Sequence, residues 1–145
     1  MTATDYVVEV LGGPSVFKGR DLPTSSEVRE RIKEGLPFRS LESLRERLGL
    51  SVPEAASVLH MPARTMARRR LARKLDPIES DRLYRVARVA GQAVAVLGCE
   101  EKATAWLQRP NRALGNERPI RLLDTDIGAR QVEDVLGRIE HGIIG

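Results

Sequence analysis

Three helix starts of the same chemical design recur along the chain, and they dictate most of what it can fold into. Thr24-Ser25-Ser26-Glu27, Ser51-Val52-Pro53-Glu54 and Asp76-Pro77-Ile78-Glu79 each place a short oxygen-bearing side chain three residues before a carboxylate. In that arrangement the two side chains satisfy backbone N–H groups that the first turn of a helix leaves free. Proline in the first turn strengthens the second and third signals, because its missing N–H costs nothing there. These starts and the glycines and prolines that follow them predict helices over residues 24–34, 40–48, 51–59, 63–71 and 76–97. Leu41, Leu44 and Leu48 share one face of the second of these. On the long fifth helix Ile78, Leu83, Val86, Ala87, Ala90, Val94 and Leu97 make an apolar stripe, with Asp81, Arg82, Arg85 and Arg88 mostly off it. Two more helices are expected over residues 100–108 and from a Thr125 cap to residue 139. Residues 1–23 read as irregular: Tyr6-Val7-Val8 suggests a short extended piece and Gly12-Gly13-Pro14 a break. Residues 109–119 read as a loop and 120–123 as extended.

Composition agrees with a helical fold. Apolar residues make up 41% of the 145, which is enough for a core, while aromatics are only 3%. The core must therefore be built from Leu, Val, Ile and Ala, and no long β-rich stretch competes. The expected class is all-α, a helical bundle.

Charge is unevenly spread. Net charge is +4, yet residues 39–88 hold 12 Lys and Arg against 6 Asp and Glu while the flanking segments are slightly acidic. A basic middle segment is compatible with nucleic acid. One cysteine, Cys99, allows no internal disulfide, and the first ten residues carry Asp5 and Glu9 without a basic leader, so a cytoplasmic protein is expected. The apolar run 86–97 is too short to span a bilayer and contains Arg88, so no membrane role is expected. His60, His141 and Cys99 form no recognisable metal set. With no phosphate loop and no nucleophile–base arrangement, neither a cofactor nor an enzymatic role is expected.

The sharpest local pattern runs from Val52 to Leu71. Two short helices packed steeply across a tight turn need a small residue where they touch, and Ala55 and Ala56 supply it. Leu59, Met61 and Met66 have the spacing of apolar anchors. His60 falls where the turn needs a left-handed residue, a place that usually takes glycine but admits histidine. In such a helix-turn-helix the start of the second helix meets base edges in the major groove. Arg64 is suited to a bidentate contact with guanine and Thr65 to a base or phosphate; Arg68, Arg69 and Arg70, followed by Arg73 and Lys74, are spread around the helix, so that about half of them would meet phosphates, Arg68 and Arg69 foremost. A run of arginines equally fits a solvated helix face, and the helix pair a purely structural role.

Beyond the helix pair, the order and spacing of several strings resemble the MbcA/ParS/Xre antitoxin family. They are Leu75-Asp76-Pro77-Ile78-Glu79-Ser80-Asp81-Arg82-Leu83-Tyr84-Arg85, Ala105-Trp106-Leu107, Pro110-Asn111-Arg112-Ala113-Leu114-Gly115, Arg118-Pro119-Ile120 and Leu123-Asp124-Thr125-Asp126-Ile127-Gly128-Ala129-Arg130. Leu136-Gly137-Arg138-Ile139-Glu140-His141-Gly142 completes the series. The resemblance implies an antitoxin of a type II toxin–antitoxin system, with residues 24–74 as the DNA-binding part and 75–145 as a helical toxin-binding and dimerisation part. The implied partners are a RES-type or ParT-like toxin that consumes NAD or ADP-ribosylates a target, operator DNA, and a second copy of the chain. Toxin contacts are then expected from Trp106, Asn111, Leu114, Arg138, His141, Ile143 and Ile144. Trp106 equally reads as a core anchor and Asn111 as a turn residue. The alternative function is a stand-alone transcription regulator whose C-terminal half only dimerises.

Overall fold

The structure is a computed structural model that describes residues 2–142. Among the described residues there are eight α-helices: α1 Ala3–Val10, α2 Ser25–Glu34, α3 Phe38–Arg47, α4 Val52–Val58, α5 Ala63–Ala72, α6 Pro77–Leu97, α7 Glu100–Gln108 and α8 Asp126–Glu140. Short 3₁₀ turns at Pro14–Phe17, Arg112–Leu114 and Pro119–Asp124 occupy the connections. No strand occurs among the described residues, so the class is all-α as the sequence predicts. All three capping boxes form, and each starts its helix within a residue or two of the expected place. Thr125 caps α8 by accepting from the Gly128 amide at 3.0 Å.

α6 is the axis on which the others are arranged. It packs against α1, α2, α7 and α8. Its buried residues include Leu83, Val86, Ala87, Val89, Ala90, Gly91, Ala93 and Val94, wider than a single stripe because helices cover it on more than one side. The many small side chains let those neighbours come close. A Cβ on Gly91 would stand 2.7 Å from the Ala3 carbonyl oxygen, so glycine sets how near α1 can lie. Ile78 is a correction to the expected stripe: it is 62% exposed, in the first turn before α6 enters the core. Its neighbours Glu79 and Ser80 are buried instead, and Ser80 Oγ accepts from the Leu36 amide at 2.7 Å.

Two other expectations are corrected. The N-terminal segment is not irregular throughout: Ala3–Val10 is a helix, so Tyr6-Val7-Val8 is not extended, while the break at Gly12-Gly13-Pro14 stands. Thr2 and Asp5 form a fourth capping box, and α1 buries Tyr6, Val7, Val8 and Val10. Each valine costs a helix a few tenths of a kcal/mol relative to alanine, whereas burying its side chain against a partner is worth about 1.5 kcal/mol or more. Packing on α6 therefore overrides the local preference. Residues 120–123 are likewise not extended but lie in a 3₁₀ turn. Its three-residue period sets Ile120 and Leu123 on one inward side, both buried, with Arg121 outside.

The connection between α2 and α3 and that between α5 and α6 are pinned together. Pro37 and Lys74 form an isolated antiparallel bridge, with the Phe38 amide donating to the Arg73 carbonyl at 3.1 Å and the Leu75 amide to the Leu36 carbonyl at 2.9 Å. One apolar cluster runs from Tyr6 in α1 to Leu136 in α8 without a break at residues 74–75.

Candidate functional site: a helix-turn-helix joined to a C-terminal helical face

The helix pair at the middle of the chain is α4 and α5. Ser51 caps α4, accepting from the Glu54 amide at 3.2 Å while its own amide donates to Glu54 Oε1 at 2.9 Å. Ala55, Val58, Leu59, Met61 and Met66 are buried, and Ala56 packs against the same cluster from a half-buried position. The turn is closed by the Met61 amide donating to the Ala56 carbonyl at 2.8 Å. His60 has φ +55, the left-handed conformation its place in the motif demands. Its ring does a second job: Nε2 lies 2.6 Å from the Asp124 carbonyl oxygen, so it is this nitrogen that carries a proton and donates.

α5 follows Pro62, which gives no side-chain cap. Arg64 and Arg68 are exposed one turn apart, and Thr65 beside them is half-buried. Neither arginine forms an ion pair among the described residues. Leu71, one turn further, is 86% exposed. Arg69, grouped with the DNA-facing residues on sequence grounds, is turned the other way. Its Nε donates to Glu79 at 2.7 Å and its Nη2 to Asp76 at 3.1 Å. Both carboxylates belong to the cap of α6, and Glu79 is buried. The guanidinium is thus committed to holding α5 against the start of α6.

The C-terminal half comprises α7, the loop after it, the 3₁₀ turns and α8. Trp106 is half-buried against the core, as is Leu114. Asn111 builds the loop: its Oδ1 accepts from the Ala113 amide at 2.9 Å, and its backbone bonds to Glu117 and Asn116. The Arg112–Leu114 turn packs on α8, at whose end Arg138 and His141 are exposed. Ile143 and Ile144 lie outside the described residues.

Sequence reasoning missed the residues that join the two halves. Arg118 donates through Nη2 to Glu54 Oε2 at 2.9 Å and to the Gln108 side chain, and through Nε to the Gln108 carbonyl at 3.0 Å. The Ser51 amide and the Arg118 guanidinium hold the Glu54 carboxyl at about 2, far below its ordinary 4.5. Arg82 donates to the Leu59 carbonyl and Arg85 to the Leu123 carbonyl, both at 3.3 Å. Arg118 stands in a quoted family string, but no local pattern pairs it with a glutamate 64 positions away. Among the described residues no three His, Cys, Asp or Glu side chains are grouped to hold a metal ion, and no helix is long and apolar enough to cross a membrane.

His60 and Asp124 bring the turn of the helix pair to the start of α8. The 15 residues of α8, at 1.5 Å each, then carry the chain about 20 Å to Arg138 and His141. The arginines at the start of α5 and the end of α8 belong to different helices on one apolar cluster.

Comparison with known proteins divides the chain in the same order. Residues 27–88 match the model of the antitoxin Xre-like helix-turn-helix domain. Residues 92–142 match that of the antitoxin Xre/MbcA/ParS C-terminal toxin-binding domain. Among curated relatives, the antitoxin Xre of Yersinia enterocolitica is 36% identical over 118 residues, covering 79% of this chain and 78% of the relative. That of Photorhabdus laumondii is 34% identical over 115 residues, 78% of each. That of Pseudomonas putida is 34% identical over 123 residues, 84% of this chain and 76% of the relative. With a helix-turn-helix and a C-terminal helical half in the same order and on one core, the chain belongs to the Xre/MbcA/ParS antitoxin family.

Proposed function

We propose that the protein neutralises a RES-type, NAD-consuming toxin by covering its active-site entrance with the C-terminal half, and represses its own operon through the helix-turn-helix. The observation that carries this reading is the toxin-binding match over residues 92–142, separate in sequence from the helix-turn-helix match over residues 27–88. The mechanism is steric and needs no chemistry from this chain. Trp106, Asn111, Leu114, Arg138 and His141, with Ile143 and Ile144 beyond the described residues, form the toxin-facing set. Arg64 and Thr65 meet base edges and Arg68 a phosphate. The chain works in the cytoplasm as a dimer, with residues 24–74 as the DNA-binding part and 75–145 as the toxin-binding and dimerising part.

Coexpression with the toxin encoded beside it is the test. The expected result is rescue of growth and copurification of the two proteins. Failure of both sinks the antitoxin reading in its RES form and leaves a stand-alone regulator. Removing residues 137–145 is expected to weaken neutralisation while leaving operator binding intact. Equal neutralisation by the shortened chain shows that the tail is not part of the toxin contact.

A further inference from the structure

Behind the exposed start of α5 the structure holds a second basic feature. A cleft of about 400 Å³ is lined by Pro37, Phe38, Arg39, Glu42, Arg70 and Arg73. It exists because the Pro37–Lys74 bridge draws the start of α3 against the end of α5. Three arginines face it against one carboxylate. Arg70 lies 5.3 Å over the Phe38 ring. Arg39 donates to the Gly12 carbonyl and to Ser15 Oγ, both neutral oxygens. None of the three has an ion-pair partner among the described residues.

Arg73 shows that a side chain is wanted at this place. It ends α5 with φ +59, a left-handed conformation that strains any residue with a Cβ. The positive-φ residues that close α2 and α6 are Gly35 and Gly98. Among the described residues Lys18, His60 and Asn116 share this positive φ without being glycine, and at the end of α5 it is an arginine that stands where glycine would relieve the strain.

We propose that Arg39, Arg70 and Arg73 form a phosphodiester-binding site that grips the DNA backbone flanking the bases met by Arg64. The planar guanidinium matches the geometry of a phosphate. The distances fit as well. Nine residues separate Arg64 from Arg73, about 14 Å along the helix, and the major groove is about 12 Å wide. A helix whose start meets base edges thus brings its end to the bordering phosphates. Arg70 also lines the groove between α4 and α5, so the cleft adjoins the helix pair. This proposal rests on the reading of α4 and α5 as DNA-binding.

The experiment measures binding of the full-length protein to two duplexes, one from the region upstream of its own gene and one scrambled to the same length, across a series of salt concentrations. Arg73→Gly removes the guanidinium and relieves the backbone, so the variant folds. It is expected to weaken binding to both duplexes several-fold and by the same factor, and to lower the slope of log K against log[salt] by about one. Combining it with Arg39→Gln lowers the slope by about two. Arg73→Lys keeps the charge and most of the slope. Unchanged affinity and slope in the double variant, with discrimination still lost in Arg64→Ala, overturns the cleft and leaves the DNA reading standing. Absence of salt-dependent DNA binding by the unaltered protein overturns both. Normal DNA binding by the double variant together with loss of toxin copurification overturns the proposal in favour of an acidic protein surface as the ligand.

Discussion

Adjacent arginines on α5 have opposite fates. Arg68 is exposed and unpaired among the described residues, whereas Arg69 holds Asp76 and Glu79 in the cap of α6. Arg69→Ala is expected to leave a buried carboxylate without its cation and to destabilise the fold by about 3 kcal/mol, read by urea denaturation. Its salt slope for DNA is expected to stay unchanged, and a reduced slope would return Arg69 to the DNA contacts. Arg64→Ala is expected to do the reverse, with stability kept and about 1–3 kcal/mol of base discrimination lost, read by binding to single-base variants of the operator. The sequence shows where arginines concentrate. It does not show which of them face inward, because the deciding carboxylates lie beyond the loop that follows α5. His60 was legible for a local reason: the turn needs one left-handed residue at that step, and the structure finds φ +55 there.

At the scale of elements, caps were legible and partners were not. Capping boxes are written in four consecutive residues, so α2, α4 and α6 begin where their sequences say. α1 was misread because its valines prefer extended backbone, although Thr2 and Asp5 write a capping box there too; packing, chiefly on α6, then makes the helix worthwhile. Gly91→Val is expected to push α1 off that flank and to cost about 2–3 kcal/mol by overpacking, seen as a lower urea midpoint. The link between α4 and the C-terminal half has a pH signature. Glu54 is held at about 2 in the folded chain against an ordinary 4.5. A carboxyl with a lowered folded-state value contributes stability that is fully present above about 4.5 and is lost as the pH falls towards about 2. The unaltered protein is expected to lose stability through that window faster than Glu54→Gln. Parallel stability–pH curves would mean that the Ser51–Glu54–Arg118 linkage carries none of it.

For the whole molecule the consequence is cooperativity. The two family matches meet inside α6, between residues 88 and 92, and one apolar cluster spans both. A chain that shares its central helix in this way is expected to unfold in a single transition by circular dichroism and by calorimetry. A fragment limited to residues 92–142 is expected to lack a cooperative transition, because the α6 surface that α8 needs is cut. A separately folding fragment would show the halves to be independent. The placement of α8 also predicts that toxin and operator bind together, which a supershift of the DNA complex on adding toxin would report.

The amino-acid sequence by itself determined the helical class, the order of the helices after α1 and their starts to within two residues, and the left-handed turn at His60. Each of these depends on residues within a few positions of one another, where hydrogen-bond geometry leaves few choices. Only the tertiary structure decided that the valines of α1 are buried in a helix, that Arg69 turns to the cap of α6, that Arg118 reaches Glu54, and that Arg39, Arg70 and Arg73 line one cleft. Those outcomes depend on which surfaces come together across tens of residues. There the burial of apolar area outweighs local preference, and a charge takes whichever partner the packing brings within reach.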